Sequence, residues 1–138
     1  MENCHCKHDF PIVLQYALTE NLIVCSNCNL DKFIDNLPVD LQRKMEEWNA
    51  GYAIEYKKWL ESQGSESLTD IKWKINQLGF KITTELNQFY HTFYWWHVDE
   101  DEQHKFCPKC RQNLMSVKNE YGDEQHKICE DCMILVND

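Results

Sequence analysis

Cys107-Pro108-Lys109-Cys110 and Cys129-Glu130-Asp131-Cys132 decide the fold. Each pair spaces two thiols so that one tight turn can offer both to a single ion, and eighteen residues separate Cys110 from Cys129. This is the four-cysteine arrangement of a tetrahedral zinc site. Asp-Glu-Gln-His-Lys and one apolar residue precede both pairs, at Asp101 to Phe106 and again at Asp123 to Ile128. Four thiolates close such a site and leave no position for water or substrate, so the motif speaks for architecture before activity.

The same eighteen-residue gap recurs at the N-terminus, between Cys6 and Cys25. Cys4, Cys6, Cys25 and Cys28 form a candidate second quartet, with Phe10 to Leu14 and Leu22 to Val24 as strands of a hairpin and Thr19-Glu20-Asn21 near its turn. Cys4-His5-Cys6 is tighter than the usual knuckle. His5 or His8 in place of Cys4 remains an open alternative at this stage, as does a terminus that holds no metal.

Helical periodicity fills the middle of the chain. After Pro38, Asp40 can cap a helix whose apolar side reads Leu41, Met45, Trp48, Tyr52, Tyr56 and Trp59, with Gly64 placed to stop it. A second stripe, Ile71, Ile75, Leu78, Ile82, Leu86 and Phe89, starts from Ser67 or Thr69. The spacing predicts two helices of roughly 22 residues packed antiparallel. Trp48 and Trp59 belong to the core on this reading, and Trp73 lies off the stripe. Gly79 costs its helix about 1 kcal/mol against alanine, which a close approach by another element would explain.

Phe89 to His97 is the most aromatic stretch, with helix expected to His91 and strand from Thr92 to Val98. Alternation sends Phe93, Trp95 and His97 to one face and Tyr94 and Trp96 to the other. Asp99 to Glu102 then form an acidic run, most simply a solvated loop, without the ligand spacing of a calcium loop.

The 138 residues carry a net charge of −9. Nucleic-acid binding draws its affinity from neutralised phosphates, and no segment is basic, although Lys105, Lys109, Arg111, Lys118 and Lys127 could gather on one face. The eight cysteines stand in close pairs, with no signal-type start and no apolar run of membrane-spanning length, so thiolates on metal in a reducing cytoplasm are expected and no membrane association.

No phosphate loop, Gly-x-Ser-x-Gly or His-Glu-x-x-His occurs, so no catalytic residue is assigned and no enzyme is expected. His104 and His126 read as exposed strand residues that could alternatively donate to a thiolate. His91 and His97 could meet Glu85 or Asp99, but nothing in the sequence fixes them together.

The order of parts resembles a family. Cys25 and Cys28, Leu37-Pro38, Trp48 and Tyr52, Glu85, Phe93-Tyr94-Trp95-Trp96, Cys107-Pro108-Lys109-Cys110, and Cys129 to Cys132 with an apolar tail ending in Asn137 together resemble bacterial proteins described as zinc-ribbon-containing candidates for nucleic-acid binding, of otherwise unknown function. The resemblance spans about residues 25–138 and implies structural zinc. It carries over no catalytic residue. The Cys4-His5-Cys6 start departs from it, as does the absence of a longer N-terminal region.

The expected protein is α+β. A zinc-binding hairpin over residues 1–38 and an aromatic strand with a zinc ribbon over 92–138 flank a helical hairpin over 39–91, with two zinc ions per chain. Its expected role is that of an acidic adaptor or inhibitor, for example immunity- or antitoxin-like, that binds a basic protein. The alternative is a module for single-stranded RNA or DNA, in which Tyr94, Trp95 or Trp96 stacks on bases.

Overall fold

A computed structural model describes residues 3–7, 9–18, 21–62, 66–97, 105–118 and 124–137. Short apolar runs give the strands β1 (Ile12–Leu14), β2 (Ile23–Cys25) and β3 (Thr92–Trp95), and the C-terminal segment gives β4 (Met115–Lys118), β5 (Glu124–Cys129) and β6 (Ile134–Asn137). Two helices, α1 (Val39–Ser62) and α2 (Lys74–Leu86), lie between β2 and β3.

All six strands form one mixed sheet in the order β2-β1-β3-β6-β5-β4. The expected hairpin is present, with Ile12 opposite Cys25 and Leu14 opposite Ile23. The arrangement of the modules differs from expectation. Instead of standing apart on either side of the helices, the two cysteine-bearing segments meet through β3, which runs parallel to β1 on one side and to β6 on the other. Ile12-Val13-Leu14 and Thr92-Phe93-Tyr94 are buried residue after residue, as strands covered on both faces must be.

Period-two alternation sorts the side chains. Ile12, Leu14, Tyr94, Trp96, Ile134 and Val136 enter the main core with Leu41, Met45, Trp48 and Tyr52 of α1 and Ile75, Phe80, Ile82 and Leu86 of α2. Val13, Phe93, Ile128 and Leu135 make a smaller cluster. The expected split of Tyr94 and Trp96 from Phe93 therefore holds, but Trp95 packs against both clusters and His97, past the end of β3, packs against Tyr56 and Trp59 of α1.

α1 follows its periodicity closely. Asp40 falls inside the first turn and pairs with Arg43 at 2.7 Å, and Gly64 lies outside the described residues. α2 is shorter than expected, at 13 residues. The cause is local side-chain chemistry: Lys72 N–H donates to Asp70 Oδ1, and Asn76 Nδ2 donates to the carbonyls of Leu68 and Asp70, so bonds that would extend the helix backwards are replaced. Leu68, absent from the apolar stripe, is fully buried in the one-turn segment Glu66–Thr69. At the other end Asn87 Nδ2 donates to the carbonyls of Thr83 and Thr92 and its Oδ1 accepts from Thr92 N–H, which ends α2 before His91 and aims the chain into β3.

A buried polar chain ties both helices to the sheet. Trp48 Nε1–H donates to Tyr94 Oη at 3.4 Å, Tyr94 O–H donates to Asn76 Oδ1 at 2.8 Å, and Asn76 holds the turn before α2. No helix among the described residues is long and apolar enough to cross a membrane.

Candidate metal centres

The four sulfurs of Cys4, Cys6, Cys25 and Cys28 lie within 4.8 Å of one another, and so do those of Cys107, Cys110, Cys129 and Cys132. The fold thus brings both expected quartets together, with Cys4 in the first. His5 is exposed, and His8 lies outside the described residues.

Matching turns build the knuckles. Cys25 N–H donates to Leu30 O and Asn29 N–H to Cys25 O; Cys107 N–H donates to Gln112 O and Arg111 N–H to Cys107 O, all at 2.8–2.9 Å. The residue after the second cysteine takes a positive φ in three knuckles, at Asn29 (60°), Arg111 (67°) and Met133 (55°). That left-handed step turns the chain back over the knuckle, so that Leu30 O and Gln112 O accept from the N–H of the first cysteine. The N-terminal pair is held differently, by Cys4 N–H on Asp31 O and by Cys6 N–H directed at Cys4 Sγ.

Sulfur separations discriminate between metal and disulfide. Cys6 Sγ and Cys25 Sγ are 3.9 Å apart, and Cys110 Sγ and Cys129 Sγ 3.7 Å. A disulfide requires about 2.05 Å, whereas a tetrahedron of thiolates at about 2.3 Å from zinc has edges of about 3.8 Å. All eight cysteines are free thiols. N–H groups also point at the sulfurs, from Asn27 Nδ2 to Cys6 at 3.3 Å and from Lys109 N to Cys107 at 3.4 Å, as suits thiolate ligands. The donor sets fit one ion each, with zinc the consistent choice.

Burial and hydrogen bonding divide the thiols within each quartet. The Gln112 N–H lowers the Cys110 thiol, while for Cys4 burial pushes upward and hydrogen bonds from Cys6 and the neighbouring sulfurs outweigh it. Burial raises Cys25, Cys129 and Cys132, and pushes Cys28 up to about 12. One easily ionised sulfur among reluctant ones is a site that needs a cation before it can become fully anionic.

Register places both centres at the end of the sheet where the parallel strands β1, β3 and β6 begin. Two adjacent residues there reach opposite centres. Tyr90 accepts from Lys32 Nζ at 2.9 Å and donates to Asp9, beside the N-terminal quartet, while His91 Nε2 lies 3.3 Å from Glu130 in the second C-terminal knuckle. The C-terminal knuckle also touches α2, with Lys109 Nζ 4.7 Å from the centre of the Phe80 ring.

Other singled-out residues divide clearly. His91 meets Glu130 rather than Glu85, which instead binds Lys44 at 2.9 Å. His97 is buried against Tyr56, Trp59 and Trp95, with the Trp59 ring centre 4.7 Å away. His126 is 5% exposed, contrary to the surface position expected of it, because it shares the face of β5 with buried Ile128 and lies with Phe10, Pro11 and Phe93 around one small cavity. His104 and the Asp99 to Glu102 run lie outside the described residues. Tyr94 and Trp96 are 0% and 1% exposed, which removes both from any base-stacking surface.

No protein-family model, curated protein or solved structure matches the chain. The two cysteine quartets therefore stand on their own geometry, as sites that could each hold a metal ion and are consistent with zinc.

Proposed function

We propose that the chain is a non-catalytic protein whose two zinc ions are structural ribbon centres and whose acidic surface binds a basic protein, as an adaptor or an inhibitor of the immunity or antitoxin kind. The supporting observation is that four sulfurs lie within 4.8 Å of one another in each quartet, a set that fills a tetrahedral metal and leaves it no position for substrate. Zinc binding to such a site is worth about 10–16 kcal/mol near neutral pH. It holds together strands of three to six residues that would be marginal alone.

The net charge of −9 supports a basic partner, since an acidic surface speeds encounter with cations and rejects anions. Reduced thiols on zinc suit a reducing compartment such as the cytoplasm. Affinity capture of the zinc-loaded chain from its own cells tests the reading. A basic protein recovered at near-stoichiometric yield and lost at high salt is the expected result, and enrichment of RNA or DNA without a protein would overturn it.

A further inference from the structure

A groove of about 630 Å³ runs between β2, the connection that follows it, and the first turns of α1. Its floor is apolar: Leu22, Ile23 and Met45 are 4–6% exposed, and Ile34 and Leu37 pack beside them. Two carboxylates, Asp31 and Glu46, stand in its wall, and no hydrogen bond or ion pair engages either side chain among the described residues. Lys32, also in the wall, turns its ammonium to the Tyr90 hydroxyl and forms no ion pair with either carboxylate, so the wall keeps a net negative charge. Phe33 is 70% exposed beside them. Asn21 turns its Oδ1 onto Ile23 N–H, and its buried Nδ2, an unused donor, has no partner among the described residues.

We infer that this groove is where the partner docks, and that its occupant is a basic protein segment bearing an apolar side chain next to lysine or arginine. The inference rests on the protein-binding reading above. An apolar side chain fits the Leu22, Ile23 and Met45 floor, and flanking cations reach Asp31 and Glu46. Phe33 supplies the exposed aromatic that often anchors such contacts. Charge decides the class of occupant: the wall sets two unengaged carboxylates against one cation, Lys32, on a chain of net charge −9, so an acidic peptide or a nucleic-acid backbone is disfavoured.

The test uses the zinc-loaded full chain and fluorescein-labelled octapeptides with one Leu, Ile or Phe flanked by Arg or Lys; the controls have Glu flanks or an Ala centre. Anisotropy is compared among the wild type, Asp31→Lys, Glu46→Lys, Phe33→Ala and Glu61→Lys, the last changing an exposed carboxylate near the far end of α1. The expected result is binding of basic, apolar-centred peptides that weakens by about tenfold or more, a difference of about 1.4 kcal/mol, in Asp31→Lys and Glu46→Lys but not in Glu61→Lys, at unchanged zinc content. Absence of binding by every basic peptide, equal binding of the controls, or equal weakening in Glu61→Lys overturns the inference. Self-association of the wild type that Glu46→Lys abolishes would overturn it too, by making a second copy the occupant. Capture of the same cellular protein by wild type and Glu46→Lys alike would sink the groove while sparing the protein-binding reading; capture of no protein by either would sink that reading instead.

Discussion

A Cβ placed on Gly79 would sit 2.3 Å from Cε1 of Tyr94. The ring of the central strand lies directly on the backbone of α2, and only glycine admits it. Tyr94 cannot withdraw, because its hydroxyl joins Trp48 to Asn76 and its ring packs edge-on to Phe80. Gly79→Ala should therefore destabilise the zinc-loaded protein by about 1–3 kcal/mol through overpacking, despite a gain of about 1 kcal/mol in helix propensity. Denaturant midpoints measure this. The penalty should persist in a Tyr94→Phe background, which keeps the ring, and shrink in Tyr94→Ala.

Tyr94→Phe has its own cost. It strands the Trp48 indole N–H and removes the donor to Asn76 Oδ1 in a buried setting, worth about 1–3 kcal/mol. Equilibrium unfolding of the loaded protein should show that loss, and an unchanged midpoint would mean the polar chain contributes nothing.

At Arg111 the backbone takes φ 67° on an exposed side chain. Left-handed geometry costs a non-glycine residue about 1–2 kcal/mol, so Arg111→Gly should raise stability by up to about 1 kcal/mol once glycine's greater unfolded-state freedom is discounted. Arg111→Val should lower it. Thermal melts of the loaded variants check both signs, with zinc content expected to remain at wild-type level in Arg111→Gly.

Acid should expel the metals. The Cys28 thiol, at about 12 against an ordinary 9.0, is protonated in the metal-free site throughout neutral and acidic pH, and Cys25, Cys129 and Cys132 are also raised. Zinc binding must displace those protons. The loaded fold therefore holds fewer protons than the metal-free chain, and its stability rises with pH and falls on acidification. Apparent affinity should drop by about tenfold per pH unit for each displaced proton, most steeply below neutrality. Zinc transfer to a chromophoric chelator at pH 7, 6 and 5 measures it, and pH-independent retention would contradict the thiolate assignment.

Legibility in the sequence followed how local the governing physics is. The quartets could be read because ligand geometry fixes short spacings, and α1 because Leu41, Met45, Trp48 and Tyr52 repeat at helical steps over a long span. Gly79 announced a close approach without naming Tyr94. Parallel pairing of β1, β3 and β6 was invisible, since it joins Ile12 to Thr92 and Tyr94 to Ile134 across long stretches of chain that no local pattern encodes. The late start of α2 is not legible because Asp70 and Asn76 look like ordinary polar positions until their side chains are seen taking over backbone bonds. Burial of His126 depends on Phe10, Pro11 and Phe93, which lie far off in sequence, and the groove between β2 and α1 has no sequence signature.

The most direct test is native mass spectrometry of the reduced protein as purified. Two zinc ions per chain are expected, falling to one in Cys6→Ser/Cys25→Ser and to one in Cys110→Ser/Cys129→Ser. A chain without zinc, or one whose cysteines are joined in pairs by disulfides, would contradict the assignment of both quartets.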